Sequence, residues 1–371
     1  MHYKNSTDFT HNQTDRIGII IANLGTPEAP TTGAVRTYLR EFLSDTRVVE
    51  ASRLLWWPVL NFIILPFRPS RSAKAYQHVW TDKGSPLAIH TKDQSDALQA
   101  QLKAKFGDNI VVDWAMRYGK PNMSHVVDKM MAAGVRKLLV IPLYPQYSGS
   151  TTASTFDSLA ADFMQRRWLP ELRFVNSYAD NPHYIQALAK SIQTHWQEHG
   201  KPQKLIFSFH GVPQEYLHKG DPYHCECLKT ARLVAETLTL TPEEYTVSFQ
   251  SRLGPKAWLK PYTDETVKAL PAQGIKNVHV ICPGFSADCL ETIEEIGMEN
   301  RDYFLEAGGE TFSYIPALNA SEPHIEMLTA LVEEQATGWL PTESSKAEEQ
   351  REGNAERQKR FEQCPHNRMT T

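Results

Sequence analysis

The chain has 371 residues, 41% of them hydrophobic and 22% charged, so it can bury a full core and form about two or three domains. A formal net charge of −4 excludes the basic footprint expected of a nucleic-acid-binding protein. Five cysteines in so long a chain, behind a polar N-terminus without an apolar signal region, predict a reducing, cytoplasmic location.

Runs of apolar β-forming residues alternate with helical stretches along the chain. This alternation is typical of parallel sheets built from βαβ units. We predict eight strands, at Arg16–Leu24, Ile110–Met116, Lys137–Leu143, Leu172–Asn176, Lys204–His210, Tyr245–Gln250, Asn277–Cys282 and Thr311–Tyr314. The sequence contains neither a GxGxxG nor a GxxxxGK[ST] phosphate loop, which argues against a nucleotide-binding enzyme.

An almost wholly apolar segment, Leu54 to Phe67, follows the first strand. It is too short to cross a hydrocarbon core of about 30 Å, and two prolines interrupt it, so it does not predict a transmembrane helix. Arg53, Arg68 and Arg71 flank it, as expected for a segment that lies in a headgroup boundary or lines an apolar mouth. A buried core helix is an equally good interpretation.

Three short motifs occur twice and in the same order. Residues 22–27 resemble 208–213, residues 116–121 resemble 251–255, and residues 140–148 resemble 280–286. The repetition predicts a duplicated four-stranded α/β unit with a ligand held between the two copies. Alignment of the copies places Leu24 opposite His210.

His210 ends a predicted strand and is followed by the turn residues Gly211 and Pro213. Ligands of open α/β sheets bind outside the carboxyl ends of the strands, so this imidazole is expected at the rim of a cleft. Its unperturbed pKa of roughly 6.5 suits proton transfer or metal binding near neutral pH. A satisfied structural histidine is nevertheless the commoner role for a single strand-end histidine.

Three glutamates, Glu291, Glu295 and Glu299, follow the seventh predicted strand at intervals of four residues. On a helix they form one stripe of carboxylates. Like charges at this spacing destabilise a helix by roughly 0.2–0.5 kcal/mol per pair, and neither Glu291 nor Glu295 has a basic residue four positions away. Acids in a first helical turn are also ordinary, because they complement the helix dipole. We interpret the stripe as functional.

Longer motifs carry a family resemblance. They are Gln146–Thr152, Ser208–Pro213, Phe249–Thr266 and Gly284–Thr292. Over residues 17–331 the chain resembles the ferrochelatases. The resemblance implies two Rossmann-like domains, each with a four-stranded parallel sheet flanked by helices. It also implies insertion of ferrous iron into protoporphyrin IX to make protohaem, the terminal step of haem biosynthesis.

The resemblance assigns the family's essential histidine and glutamate to His210 and Glu291. The metal path it implies consists of four residues: His210, Glu291, Glu295 and Glu299. The substrate pocket it implies consists of Leu24, Arg117, Tyr118, Tyr147, Trp258 and Phe285. For the aromatic members, core packing is an equally good interpretation.

Two positions distinguish this chain within the family it resembles. Leu24 stands where animal enzymes have methionine and Gram-positive, coproporphyrin-using enzymes have tyrosine. Together with the apolar segment, leucine favours protoporphyrin and the Gram-negative bacterial type. Cys289 stands where animal enzymes have histidine, so the outer part of the metal path is expected to differ.

The chemistry of metallation matches these parts. Two pyrrole N–H protons must leave, a hydrated dication must lose its water, and a flat ring must be bent towards the ion. A base, an acidic metal path and a tight cleft are the minimum requirement. Whether His210 takes protons or binds the metal stays open at this point.

No resident cofactor is predicted, because ferrous iron is a substrate. Animal ferrochelatases carry a C-terminal cysteine cluster, whereas residues 341–371 of this chain contain only Cys364. Cys225 and Cys227 form a C-x-C pair without a C-x-x-C partner, so an iron–sulfur cluster is not expected.

The predicted organisation has four parts: an N-terminal α/β domain at 16–175 with an apolar lip at about 50–72, a C-terminal α/β domain at 176–318, a helix at 319–338 that packs back on the first domain, and a polar tail at 341–371.

The expected partners are protoporphyrin, ferrous iron and the inner-membrane surface. Two alternatives stay open: a coproporphyrin-using enzyme, which would differ in its pocket, and a porphyrin carrier, which would need no acids. A cobalt chelatase would have a second histidine in place of Glu291, and this chain does not have one there.

Overall fold

The computed structural model describes residues 3–4, 15–252, 254, 256–340 and 348–363. The chain forms two four-stranded parallel sheets with strand orders β2-β1-β3-β4 and β6-β5-β7-β8. The strands are β1 (Arg16–Gly25), β2 (Ile110–Tyr118), β3 (Val135–Pro142), β4 (Glu171–Phe174), β5 (Lys204–His210), β6 (Tyr245–Gln250), β7 (Asn277–Ile281) and β8 (Thr311–Ile315). The predicted fold class is confirmed. The eight predicted strands are also confirmed, and each observed strand end lies within two residues of the predicted one.

Helices flank both sheets. The α-helices are α1 (Thr32–Ser44), α2 (Arg53–Pro58), α3 (Leu65–Val79), α4 (Pro86–Phe106), α5 (Met123–Ala132), α6 (Ser154–Phe163), α7 (Pro182–His199), α8 (Gln214–His218), α9 (Tyr223–Thr237), α10 (Thr263–Ala269), α11 (Arg301–Glu306), α12 (Glu322–Gln335) and α13 (Glu348–Gln363). Shorter segments form π-helices at Val59–Ile64, Gly149–Ala153 and Glu291–Asn300 and a 3₁₀-helix at Pro271–Gln273.

The central strand β1 shows why the apolar runs form strands. Ile19, Ile20 and Ile21 are completely buried, as expected for a strand covered by helices on both faces. Ile19 and Ile21 belong to the core cluster that contains Leu98 of α4, whereas Ile20 belongs to the cluster that contains Val127 of α5. The continuous apolar run therefore fills two helix layers.

Glycines at the ends of β1 and β5 bring neighbouring backbones together. Gly25 has φ +119°, and a Cβ there would lie 1.8 Å from the Tyr118 carbonyl oxygen of β2. A Cβ on Gly211 would lie 2.8 Å from the Gln250 carbonyl oxygen of β6. The same close approach is thus built into both copies of the repeated motif, directly after Leu24 and His210.

The apolar lip is formed by α2, the π-helix Val59–Ile64 and the start of α3. Leu60 and Leu65 are buried against α1, so the core interpretation holds for one face. The opposite face exposes Leu54, Leu55, Trp57, Phe62, Ile63 and Phe67. None of the helices in the described part of the chain is long and apolar enough to span a membrane.

Two packing arrangements join the halves of the chain. The helix α12 lies against α4 of the first half and α7 of the second. The loop after β3 is bound to α9, because the Gln146 side-chain amide donates to the Thr230 hydroxyl at 3.0 Å and the Tyr147 N–H donates to the Glu226 carboxylate at 2.7 Å. This loop and the start of α9 form a buried seam between the two sheets.

Candidate active site

His210 is held at the carboxyl end of β5, and its Nε2 has no hydrogen-bond partner among the residues that the structure describes. Its Nδ1 lies 2.6 Å from the Gly211 carbonyl oxygen. A carbonyl only accepts, so in the neutral ring Nδ1 carries the proton and Nε2 keeps its lone pair. The His210 carbonyl accepts from the Tyr223 hydroxyl at 2.9 Å, and the Phe285 ring centre lies 6.3 Å from the imidazole. Nε2 is therefore available as a base or as a metal ligand.

Gln250 connects the histidine strand to the acids. It pairs with His210 across the sheet, and its amide nitrogen donates to the Glu291 carbonyl at 2.8 Å. Glu291 begins a ten-residue π-helix, Glu291–Asn300, where the sequence predicted an ordinary helix. Hydrogen bonds from i to i+5 widen this helix, and such segments are rare and frequent at functional sites.

The three glutamates of the predicted stripe have different environments. Glu299 is exposed, whereas Glu295 is partly buried. Glu295 accepts from the Ser251 N–H at 2.8 Å and from the Ser251 hydroxyl. Burial raises the pKa of Glu295 and the charge of Glu291 adds to this, while the Ser251 bonds oppose it, so that the pKa is about 7. This carboxyl can exchange a proton at neutral pH.

Sequence reasoning missed a fourth acid, Glu294. Burial, followed by the charge of Glu299, raises its pKa, while His78 and Arg71 of α3 oppose the rise. Glu294 and Glu299 are five residues apart, which is one repeat of the π-helical hydrogen-bond pattern. In the sequence, Glu294 is visible only as one more glutamate in an acidic run.

The helix α3 faces the start of this π-helix. Burial lowers the pKa of Arg68, whereas the nearby charge of Glu291 raises it. One terminal nitrogen of Arg68 is buried and has no hydrogen-bond partner among the described residues. Burial, followed by other charges that include Glu291, also raises the pKa values of Tyr38 and Tyr76. Arg68 is therefore partly buried and within electrostatic reach of Glu291.

Arg117 and Tyr118 are organised by Asp45, a residue that sequence reasoning missed. The Asp45 carboxylate accepts from Arg117 at 2.5 Å, from the Tyr118 hydroxyl at 2.8 Å and from the Ser154 hydroxyl at 2.6 Å. Burial alone would raise the pKa of Asp45, but these bonds outweigh burial and lower it. Tyr118 is completely buried, so it supports this wall and does not line it.

The other predicted pocket residues lie at the ends of strands or in the loops beyond them. Leu24 is the second-last residue of β1 and packs against the same cluster as Leu290, the residue before Glu291. Trp258 forms an isolated bridge with Pro213, in the loop after His210. Tyr147 is partly buried in the seam loop.

Asp288 anchors the loop that leads into the π-helix. Its carboxylate accepts from the Tyr314 hydroxyl at 2.6 Å, the Thr292 hydroxyl at 3.0 Å and the Asn319 amide at 2.7 Å. With its oxygens so engaged, Asp288 fixes the backbone before Glu291. In the sequence, the only indication of a role for Asp288 is that it belongs to the Gly284–Thr292 motif.

Within the described residues, no three His, Cys, Asp or Glu side chains are grouped so as to hold a metal ion. The acids are spread along the π-helix, an arrangement that suits passage of a dication better than storage. Cys225 is exposed and Cys227 is buried, so the two thiols of the C-x-C pair differ in environment. Cys364 lies outside the described residues.

Known proteins resemble this chain along nearly its whole length. The family model described as Ferrochelatase matches residues 16–336. The proteins named Ferrochelatase from Idiomarina loihiensis and Teredinibacter turnerae are 59% and 58% identical to it, over 96% and 99% of this chain and 98% and 99% of theirs. The solved structure described as SirB from Bacillus subtilis with Fe3+ has a TM-score of 0.49 and 12% identity, over 87% of this chain and 97% of that chain.

We expect Ser251→Ala to raise the pKa of Glu295 above about 7, because the lost hydroxyl bond stabilises the ionised carboxylate. The alanine keeps the backbone N–H donor, so the rise should be partial, roughly one to two pH units. Titration of ¹³C-labelled glutamate carboxyls by NMR measures it, with Ser191→Ala on α7 as the control. An unchanged titration would show that the hydroxyl does not control this acid.

Proposed function

Since the chain belongs to the ferrochelatase family, and is therefore a metal chelatase, we propose that its substrate is protoporphyrin IX and its product protohaem, at the terminal step of haem biosynthesis. The predicted family is confirmed, and the relatives come from Gram-negative bacteria. The proposed reaction needs no resident cofactor, because iron is a substrate.

One observation carries the proposal. The Nε2 of His210 is available, and Gln250 holds His210 in register with Glu295, an acid that exchanges protons near neutral pH. Inserting Fe²⁺ releases two pyrrole protons, and His210 Nε2 accepts a proton from the ring face it meets. Glu295, with a pKa of about 7, can take up and release protons at cellular pH. Gln250 links the two groups, since it pairs with His210 and its amide nitrogen lies 3.5 Å from the Glu295 carboxylate.

Metal delivery is proposed to follow the π-helix from Glu299 through Glu294 to Glu291. Carboxylates are hard oxygen ligands that bind ferrous iron without the tight grip of thiolates. Glu299 is exposed and meets the hydrated ion first. Burial, followed by the charge of Glu299, raises the pKa of Glu294, so an advancing ion displaces a proton from this carboxyl.

Protoporphyrin is favoured over coproporphyrin because the mouth of the cleft is apolar. Leu24 supplies an aliphatic side chain at the end of β1, and the lip exposes a further apolar face. Vinyl groups suit such a surface, whereas the two additional propionates of coproporphyrin would lose hydration there. Parallel assays with both porphyrins measure this preference.

His210→Ala should lose iron insertion by at least roughly 10²-fold, the contribution of a general base, while it still folds. The assay is anaerobic incubation with protoporphyrin and Fe²⁺, followed by loss of porphyrin fluorescence. The matched control is His125→Ala, an exposed histidine of α5. Near-normal turnover of His210→Ala would remove this residue from the mechanism. Porphyrin binding without insertion by the unaltered protein would instead favour a carrier.

Glu291→Gln keeps the shape of the side chain and removes its charge, so porphyrin should still bind while turnover collapses. Glu299→Gln should mainly raise the KM for iron, since this acid lies at the exposed end of the path. Glu306→Gln, an exposed acid of α11, serves as the control. If iron kinetics were the same in all three variants, the carboxylates would be no more than a solvated face.

We also propose that the protein is cytoplasmic and rests on the inner membrane through its lip. Replacing Trp57, Phe62, Ile63 and Phe67 by serine should reduce co-sedimentation with anionic vesicles and raise the KM for porphyrin, because these side chains are exposed. Trp56 is spared, since its ring N–H donates to the Leu43 carbonyl at 2.7 Å.

The control for the membrane experiment replaces four exposed apolar residues of other helices and loops, Met164, Leu169, Leu228 and Leu305, by serine. Salt should weaken the vesicle binding of the unaltered protein, because the exposed Arg71 lies beside the lip. If the lip variant and the control variant co-sedimented with vesicles to the same extent, the lip would be excluded as a membrane contact.

A further inference from the structure

The helix α4 contacts both walls of the cleft through one face. Thr91 and Gln94, three residues apart on this helix, are completely buried. The Thr91 hydroxyl accepts from the Asn23 side-chain amide at 3.1 Å, and the Asn23 side-chain oxygen accepts from the Leu24 N–H at 2.9 Å. On this side, α4 therefore holds the end of β1 that carries Leu24.

Gln94 reaches the opposite wall. Its amide nitrogen donates to the Ser286 carbonyl at 2.8 Å and to the Asn319 carbonyl at 3.1 Å, in the loops that follow β7 and β8. Both partners are carbonyls, which only accept, so the nitrogen end of the amide must face them. Ser286 follows Phe285, and the same loop leads into Glu291. One side chain of the first half is thus bonded to the loop that positions two residues of the candidate site.

The polar groups of these loops have other partners besides Gln94. The Ser286 carbonyl also accepts from the Asn319 N–H at 3.0 Å, and the Asn319 carbonyl also contacts the His324 ring at 2.6 Å. In the part of the chain that the structure describes, the buried amide oxygen of Gln94 has no hydrogen-bond partner. A buried amide with one orphaned end contributes little net stability, because that end costs free energy. What its nitrogen supplies is a directional link between the two halves.

Apolar packing at the same place has no such direction. Leu87 of α4 and Met116 of β2 belong to one buried cluster with Ala287 and Cys289 of the loop. Burial of these side chains favours contact without fixing its register, since the hydrophobic effect is not directional. The two bonds from Gln94 therefore fix the height at which the loop, and hence the start of the π-helix, meets the first half.

We propose that Gln94 is a positioning residue for iron insertion and that it acts by fixing residues 285–291 to α4. Through this link it sets the separation between the walls that carry Leu24 and His210. The inference rests on the proposed function, in which a flat ring is bent between these walls. Contacts to a bent ring are strongest in the transition state, so a displaced wall lowers turnover more than it weakens porphyrin binding.

Gln94→Met keeps the length of the side chain and removes both donors. We expect the kcat for iron insertion to fall roughly 10- to 100-fold, while the KM for porphyrin stays within about twofold. The matched control is Gln99→Met on the same helix. The Gln99 amide donates to the Ile110 carbonyl at 3.2 Å and accepts from the Val112 N–H at 2.7 Å, so its loss costs stability within the first half. Thermal unfolding compares the two stabilities, and Gln99→Met should insert iron at the normal rate.

Gln94→Glu gives a second readout, because a carboxyl matches the amide in shape but donates to a carbonyl only when it is protonated. Relative to the unaltered protein, its turnover should be nearest normal at low pH and fall as the pH rises. The relative turnover of Gln94→Met should not change with pH. The nearby titratable groups are His324, whose pKa burial lowers to about 4, and Asp288, which accepts from the Asn319 amide. Both are present in every variant, so their titration cancels in the ratio, and circular dichroism at each pH confirms folding.

Hydrogen–deuterium exchange, read by mass spectrometry, tests the link without any activity. In Gln94→Met, the backbone amides of residues 286–292 should exchange faster, because the loop has lost its bond to α4. In Gln99→Met they should exchange as in the unaltered protein.

A normal kcat in Gln94→Met would overturn the proposal. Equal losses of kcat in Gln94→Met and Gln99→Met would also overturn it, as would a turnover of Gln94→Glu that stays low at every pH. If Gln94→Met does not fold, the pH series of Gln94→Glu decides, since its protonated form restores one donor. A failure of the proposed function is distinguishable, because the unaltered protein would then insert no iron. The exchange of residues 286–292 would still show whether Gln94 holds the loop.

Discussion

One buried amide, the side chain of Gln250, holds the parts of the site in register. Its oxygen accepts from the Ser208 hydroxyl of β5 at 2.8 Å and lies 3.5 Å from the Cys282 sulfur after β7. Its nitrogen donates to the carbonyl of Glu291. An amide that is 3% exposed is stable only when both of its ends have partners. The position of the π-helix relative to the His210 strand therefore depends on this side chain.

Glu294 and Glu295, the acids near this amide, lie in a low-dielectric environment, which changes their pKa values. Carboxylates in water are ionised at neutral pH, but burial raises the pKa values of Glu294 and Glu295. The charge of Glu299 adds to the rise for Glu294, and the charge of Glu291 adds to it for Glu295. Protons on Glu294 and Glu295 compete with a dication for the same oxygens, so these two acids hold a dication less tightly. If the metal follows the proposed path, these two acids also carry away protons that the metal replaces.

The strands and the histidine were predictable because their signals are local. A buried parallel strand shows its apolar run in the sequence, and His210 stands at the end of such a run. The environments of the acids were not predictable, since Ser251 lies 44 residues from Glu295 in the chain. Asp45 was missed for the same reason, because it meets Arg117 across 72 residues. The four-residue spacing of the glutamates indicated a helix, but it did not reveal the π-helical form or the different exposure of its members.

The buried thiol of Cys289, which lies beside the acids, affects how well the protein resists oxidation. Burial, followed by the charge of Glu291, raises the pKa of Cys289, so the sulfur stays protonated. Ferrous iron in air generates peroxide, which attacks thiolates much faster than thiols. A protonated and 4% exposed Cys289 is therefore protected from oxidation beside the proposed metal path. On the proposed metal path, iron would thus meet no reactive sulfur at this position.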